Sequence, residues 1–277
     1  LTIESLDDDN TVSFKTESIT KTIYFSVDNG VTWTAVTAST EGANIATLNN
    51  GQKLLLKGDN GYYGNANGYD RIQTDKRFNV YGNIMSLISS TSFSSLTSFT
   101  SEYVFKGLFR LCSGLISAEN LVLPAMTLTY GCYAEMFRGC SSLTKTPQLP
   151  ATTLAGGCYN GMFWGCTGLS EASALPATVL KSDCYANMFA ECSYLIAAPE
   201  LPAETLVQNC YYAMFRQCYR LNYIKAMFTT TPGTTYTNGW LTAVSSTGTF
   251  VKNSAATWDV TGSAGIPTGW TIQTASA

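Results

Sequence analysis

The motif Cys-Tyr-x-x-Met-Phe-x-x-Cys-x-x-Leu begins at Cys132, Cys158, Cys184 and Cys210, at a constant spacing of 26 residues. A fixed period of this length means that one structural unit is copied, and that the copies stack because no single unit can bury its own apolar side chains. The first three units run on into Leu149-Pro150-Ala151, Leu175-Pro176-Ala177 and Leu201-Pro202-Ala203, followed by Leu154, Leu180 and Leu206. A degenerate unit precedes them from Val104, with Phe105, Leu108, Phe109, Cys112, Leu115, Leu123 and Leu128 in the same columns. The unit at Cys210 replaces Leu-Pro with Met227-Phe228 and leaves the pattern, as a terminal copy with one exposed side must.

Within a unit, Cys132, Met136 and Cys140 recur at i, i+4 and i+8 with Phe137 beside them, and this spacing predicts a short helix with one apolar stripe. Leu143 and the residues up to Leu149-Pro150 read as a strand, closed by a proline that has no amide hydrogen to donate. Stacking then places Phe137, Phe163, Phe189 and Phe215 above one another.

The chain before the repeats reads differently. Residues 1–6, 11–15, 23–27, 53–57 and 78–82 are rich in β-formers. Asp28-Asn29-Gly30 turns the chain back into residues 31–36, a hairpin signal. Residues 58–70 form a Gly/Asn/Tyr-rich loop. Short strands punctuated by turns predict a small antiparallel sandwich. The apolar residues spaced through 84–103, among them Leu87, Phe93 and Phe99, predict a cap, and Trp240, Phe250, Trp258 and Trp270 are expected to cover the last unit.

The Met-Phe-x-x-Cys-x-x-Leu core and the Leu-Pro-Ala turn resemble the BspA-like class of leucine-rich repeats of bacterial surface proteins, over residues 104–228. The tail, from Ile224 through Phe250 to Trp270, is similar to the closing segment of such proteins. The resemblance implies a curved solenoid, a cell-surface location and adhesion-type binding. The expected fold is α+β: an N-terminal antiparallel, immunoglobulin-like β-sandwich over residues 1–84, then a leucine-rich-repeat solenoid over 85–277 with one strand and one short helix per 26-residue rung. Inside the solenoid, 85–103 is the N-terminal cap, 104–228 the repeats and 229–277 the C-terminal cap.

Chemistry is narrowed by what the chain lacks. It has no histidine, which removes Ser-His-Asp and Cys-His catalysis and the commonest metal ligand. Its net charge of -3 offers no basic face for nucleic acid, and no apolar run reaches the length of a membrane span. Charged residues make up 13% of the chain, low for a cytosolic protein. It opens at Leu1 without a methionine, as a chain trimmed of a targeting segment would, so a secreted or cell-surface location is expected.

The nine cysteines all fall inside repeats. Two sulfurs eight residues apart on a helix are about 12 Å apart, too far to bridge. No Cys-x-x-Cys knuckle invites zinc. They read as buried thiols, with a disulfide ladder between units as the alternative. The acidic turns at 7–10 and 59–70 do not have EF-hand spacing. No cofactor is expected, and no enzyme.

The tyrosine column, Tyr133, Tyr159, Tyr185 and Tyr211, reads as scaffold because it is invariant from unit to unit. Residues that differ between units are the candidate contacts: Arg138, Trp164 and Arg216 after the Met-Phe pairs, Tyr194, Tyr219 and Arg220 around the second cysteines, and on the strands Tyr223 with Lys145, Glu171, Glu200 and Lys225. Tyr, Trp and Arg are the usual anchors of protein interfaces. The expected role is non-enzymatic protein recognition across the solenoid surface. Glycan capture, through Trp164 or through Trp33, Tyr62, Tyr63 and Tyr69, is the alternative, and a structural spacer a third.

Overall fold

The computed structural model describes residues 1–17 and 19–275. The strands fall in chain order as β1 Thr2–Ser5, β2 Asn10–Lys15, β3 Lys21–Ser26, β4 Thr34–Ala38, β5 Ala43–Leu48, β6 Lys53–Gly58, β7 Arg71–Thr74 and β8 Phe78–Asn83. They continue as β9 Leu115–Ser117, β10 Leu121–Val122, β11 Tyr223–Ala226, β12 Thr249–Lys252 and β13 Thr271–Thr274. Two short 3₁₀ turns, Ile84–Leu87 and Phe93–Ser95, are the helical elements among the described residues.

Three sheets result. The largest has the order β10-β8-β1-β6-β3-β4, with β9 also on β8. The second is β5-β2-β7 and the third β11-β12-β13. Alternation makes the N-terminal strands: in β2, Asn10, Val12 and Phe14 are buried while Thr11, Ser13 and Lys15 are half-exposed. Asn29 and Gly30 both take positive φ at the hairpin, which joins β3 to β4 with Ile23 opposite Val36. The described strand pairs within residues 1–84 are antiparallel, but the sandwich expected there as a separate immunoglobulin-like unit is corrected. The large sheet is mixed, because β9 and β10 from the repeat region add to β8 in parallel.

The repeat region carries the larger correction. Equivalent rings do stack: Phe109, Phe137, Phe163, Phe189 and Phe215 follow at 5.6–5.7 Å between centroids, with interplanar angles of 2–13°. Tyr133, Tyr159, Tyr185 and Tyr211 form a second column at 5.8–6.1 Å. That column is continued by Phe105 and Tyr63 at one end and by Trp240 at the other. The backbone between the rings, however, is a ribbon of overlapping turns with no α-helix, and paired strands are nearly absent from it. Its parallel pairings are isolated bridges such as Ser117 to Lys145 and Thr127 to Thr153. Among the described residues no unit combines one strand with one short helix, so the leucine-rich-repeat solenoid, the BspA-like membership and the expected recognition across a solenoid surface are all withdrawn. The fold is β-rich, with three separate sheets and almost no helix.

The hydrogen bonds explain why the helix fails. From Gly157 to Cys166, alternate amides divide their work. Gly157, Tyr159, Gly161, Phe163 and Gly165 donate to the next unit, to the carbonyls of Ser182, Cys184, Ala186, Met188 and Ala190, at 2.8–3.0 Å. Cys158, Asn160, Met162, Trp164 and Cys166 donate back three residues within their own unit. The ribbon holds because every fourth residue takes a positive φ: Gly157, Gly161 and Gly165 here, Asp183, Asn187 and Glu191 in the next unit. Such a conformation is open to glycine and tolerable to Asn and Asp, and it is incompatible with continuing a right-handed helix. A period of four still puts Cys158, Met162 and Cys166 on one face, which is why the spacing imitates a helix.

The tail closes the stack from the other end. Trp240, Phe250, Trp258 and Trp270 are all buried, and Phe228 stacks on Trp258 at 5.2 Å. The last two positions of the expected C-terminal cap, 276–277, lie outside the described residues.

Truncating Phe163 to Ala removes one ring from the middle of a buried column and is expected to cost roughly 3–5 kcal/mol in urea denaturation. An unchanged midpoint would contradict the stacking as a source of stability. Conversely, Gln217 sits at φ +63, so Gln217→Gly is expected to raise stability by about 1 kcal/mol in the same assay, where a residue in a right-handed conformation would lose stability.

Candidate functional site

The variable residues of the ribbon gather into two groups. The first is built from one column. The Arg138 guanidinium lies 3.7 Å from the centroid of Trp164, and that of Arg216 lies 5.7 Å from it, reaching across the small buried Ala190. Glu135 receives Arg138 at 3.1 Å and also pairs with Arg110, while Arg216 faces Glu191 at 3.6 Å. Trp164 is half-buried, and its faces are occupied by its own neighbours. Arg138, Trp164 and Arg216 therefore come together as one row packed on the Trp164 ring, with Nε of Arg216 buried and without a hydrogen-bond partner.

The second group is open. Tyr194 and Arg220 share one column on successive turns, with the guanidinium 5.0 Å from the ring centroid. Tyr219 precedes Arg220, and Tyr223 pairs with Ala197 across a parallel bridge. Ile196, whose carbonyl accepts from the Asn222 amide at 2.9 Å, is held on the turn next to Asn222. Tyr194, Ile196, Tyr219 and Tyr223 are 55%, 47%, 58% and 40% exposed, a run of large apolar side chains left open to solvent on adjacent turns. Ile196 also lines an open cleft of about 490 Å³ with Ser170, Glu171, Ala172 and Pro199.

Ile196 was not singled out from the sequence, although its column gave notice. The equivalents are Thr144, Ser170 and Asn222, all polar, so an isoleucine there must face water. The remaining variable charges pair across turns, Lys145 with Glu171 at 3.6 Å and Lys225 with Glu200 at 3.1 Å. Such exposed pairs contribute little energy.

The aromatic residues of the N-terminal region do not assemble. Tyr63 is buried and stacks on Phe105, Trp33 lies under Lys57, and Tyr69 packs against Gly107 and Arg110. The acidic turns are engaged as well: Asp7 ion-pairs with Arg77, which holds its carboxyl below the usual range, and Asp70 meets Lys21. Among the described residues no group of three or more Cys, Asp or Glu side chains converges as metal ligands would, and no helix is long and apolar enough to cross a membrane.

All nine cysteines are free and buried. Those of the second column have a defined partner: Cys140, Cys166, Cys192 and Cys218 each donate S–H to a phenylalanine carbonyl of the preceding unit, at 3.0–3.1 Å. Burial pushes the thiols upward, to about 12 for Cys112 and Cys132 and about 11 for Cys210. A protonated thiol is a poor nucleophile, so these groups are packing and not reagents.

Two outcomes follow. A water-soluble disulfide reagent is expected to find no reactive thiol in the native chain and all nine after denaturation; fast labelling of the native chain would contradict the burial. Well below the ordinary thiol value of about 8.5 both folded and unfolded thiols are protonated and this contribution to stability is complete. Above it the unfolded chain releases protons that the folded chain keeps, so each buried thiol withdraws about 1.4 kcal/mol per pH unit until its own raised pKa is passed. Nine thiols together exhaust a typical stability of about 5–15 kcal/mol within roughly one unit, so cooperative unfolding is expected near about pH 10, and a native signal persisting at about pH 11 would contradict it.

Comparison of this chain with protein-family models, with curated proteins and with solved structures returns no match.

Proposed function

We propose that this chain is a non-catalytic binding module, working at the cell surface or after secretion, that holds a protein partner against Tyr194, Ile196, Tyr219, Arg220 and Tyr223. The observation that carries the reading is the exposure of these side chains on two successive turns, with the Arg220 guanidinium over the Tyr194 ring. Tyr and Arg anchor protein interfaces because they combine a large contact area with a polar tip, and a contiguous exposed apolar patch is costly unless something covers it. The ribbon beneath fixes their spacing through backbone bonds that do not depend on which side chain each column carries. The reading invokes no leucine-rich-repeat surface.

A non-catalytic role is supported by how the polar groups are committed. The carboxylates of Asp7, Asp70 and Glu135 are engaged by Arg77, Lys21 and the Arg110–Arg138 pair, and the thiols are held protonated. A location outside the cytoplasm is supported by the low charged fraction of 13%.

An array carrying extracellular-matrix proteins, bacterial surface proteins and glycans, probed with the intact chain, tests the proposal. A protein ligand is expected, with affinity falling at least about tenfold when Tyr194, Tyr219 and Tyr223 are replaced together by serine. Binding that survives this replacement, or a response to glycans alone, contradicts it.

A further inference from the structure

The repeats leave one unusual pair of groups unexplained, in the N-terminal region. Lys21 opens β3 in the large sheet, and Asp70 immediately precedes β7 in the second sheet. Their side chains are only 6% and 5% exposed, and Nζ of Lys21 lies against Oδ2 of Asp70. A second hydrogen on Nζ is donated to the Tyr62 carbonyl at 2.6 Å, and the rings of Tyr62 and Tyr63 stand 4.2 and 5.3 Å from the nitrogen. The other carboxylate oxygen, Oδ1, accepts the Glu17 amide hydrogen at 3.1 Å. The nearby Glu17 side chain is exposed, its stem folded over Gly68.

A buried ion pair of this kind is a poor investment as an ion pair, because desolvating two charges offsets most of their attraction. Burial is the leading influence on both groups, pushing the Lys21 ammonium down and the Asp70 carboxyl up, toward a neutral amine beside a neutral acid. That is the protonation state in which an amine attacks a carboxyl carbon. The amine is held in contact with its target, which supplies the proximity that a solution reaction lacks.

We propose that Lys21 and Asp70 condense into an intramolecular isopeptide bond that joins the two N-terminal sheets covalently. One proton passes from Nζ to Oδ2. The nitrogen lone pair then attacks Cγ, and the carbonyl electrons move onto Oδ1, where the Glu17 amide steadies the charge. When the C=O bond re-forms, the Cγ–Oδ2 bond breaks, and Oδ2 takes a second proton from the nitrogen. It leaves as water. The third hydrogen stays on the new amide, so atoms and charge balance with no oxidant or other reactant.

Intact-mass spectrometry of the purified full chain tests this directly. The expected mass is one water below that of the sequence, and protease digestion should yield a branched peptide joining Lys21 to Asp70. Lys21→Ala is expected to restore the full sequence mass, and Asp70→Asn to lose ammonia in place of water. The wild-type reading needs no variant to fold. A wild-type chain at full mass, with Lys21 acetylated once the chain is denatured, overturns the proposal, as does a loss of water mapped to any other residue.

Discussion

Everything in the repeat region depends on how the amide hydrogens are shared between neighbouring units. In each unit alternate N–H groups bond within the ribbon and the others bond to the next unit, so a single unit leaves half of its donors without partners. A buried unpaired amide costs about as much as a lost hydrogen bond. The units are therefore stable only as a stack, and the side-chain columns follow from that backbone arrangement. The phenylalanine and tyrosine rings sit over one another because the carbonyls and amides beneath them are fixed in register. The second-column cysteines reinforce the same contact, each reaching back to the preceding unit.

A stack has two ends, and this chain covers both with dissimilar material. At the start, the Tyr63 and Ile72 amides donate to the Val104 and Leu108 carbonyls, so the segment before β8 supplies the hydrogen bonds of a missing unit. At the finish, Tyr211 and Phe215 donate to Tyr236 and Trp240, and the buried tryptophans seal the last rings. The exposed tyrosines lie on the units nearest that second end, where the columns lose their regular composition. Side chains at those positions vary without disturbing the bonds below, so the surface is free to differ from unit to unit.

How much of this was legible in the sequence depends on the range of the interaction. The period, the buried columns and the Asp28-Asn29-Gly30 hairpin are local or repeated, and each leaves a pattern. The secondary structure of the unit was misread because a ribbon with a positive φ at every fourth residue puts the same residues on one face as a helix does. Gly157, Gly161 and Gly165, with the Asp183 and Asn187 that replace two of them, speak against a helix, since these residues are poor helix formers and good hosts of positive φ. Strands β5 and β7 went unread because their sequences are short and partly polar, and pairing with β2 is what makes them strands. The meeting of Lys21 with Asp70 left no local trace, for it is created by two sheets closing on each other. Of the candidate contacts, Arg138, Trp164 and Arg216 stand in one column of the sequence, but that both guanidinium groups pack on the Trp164 ring is a fact of geometry.

The sharing of amides between units is open to one decisive observation, a scalar coupling carried through a hydrogen bond in the NMR spectrum of the labelled chain. The amide of Phe163 is predicted to couple to the carbonyl carbon of Met188 in the following unit, to which it donates at 2.9 Å. A coupling from Phe163 to the carbonyl of Tyr159, four residues back, would mean an α-helix in its place and would contradict the account.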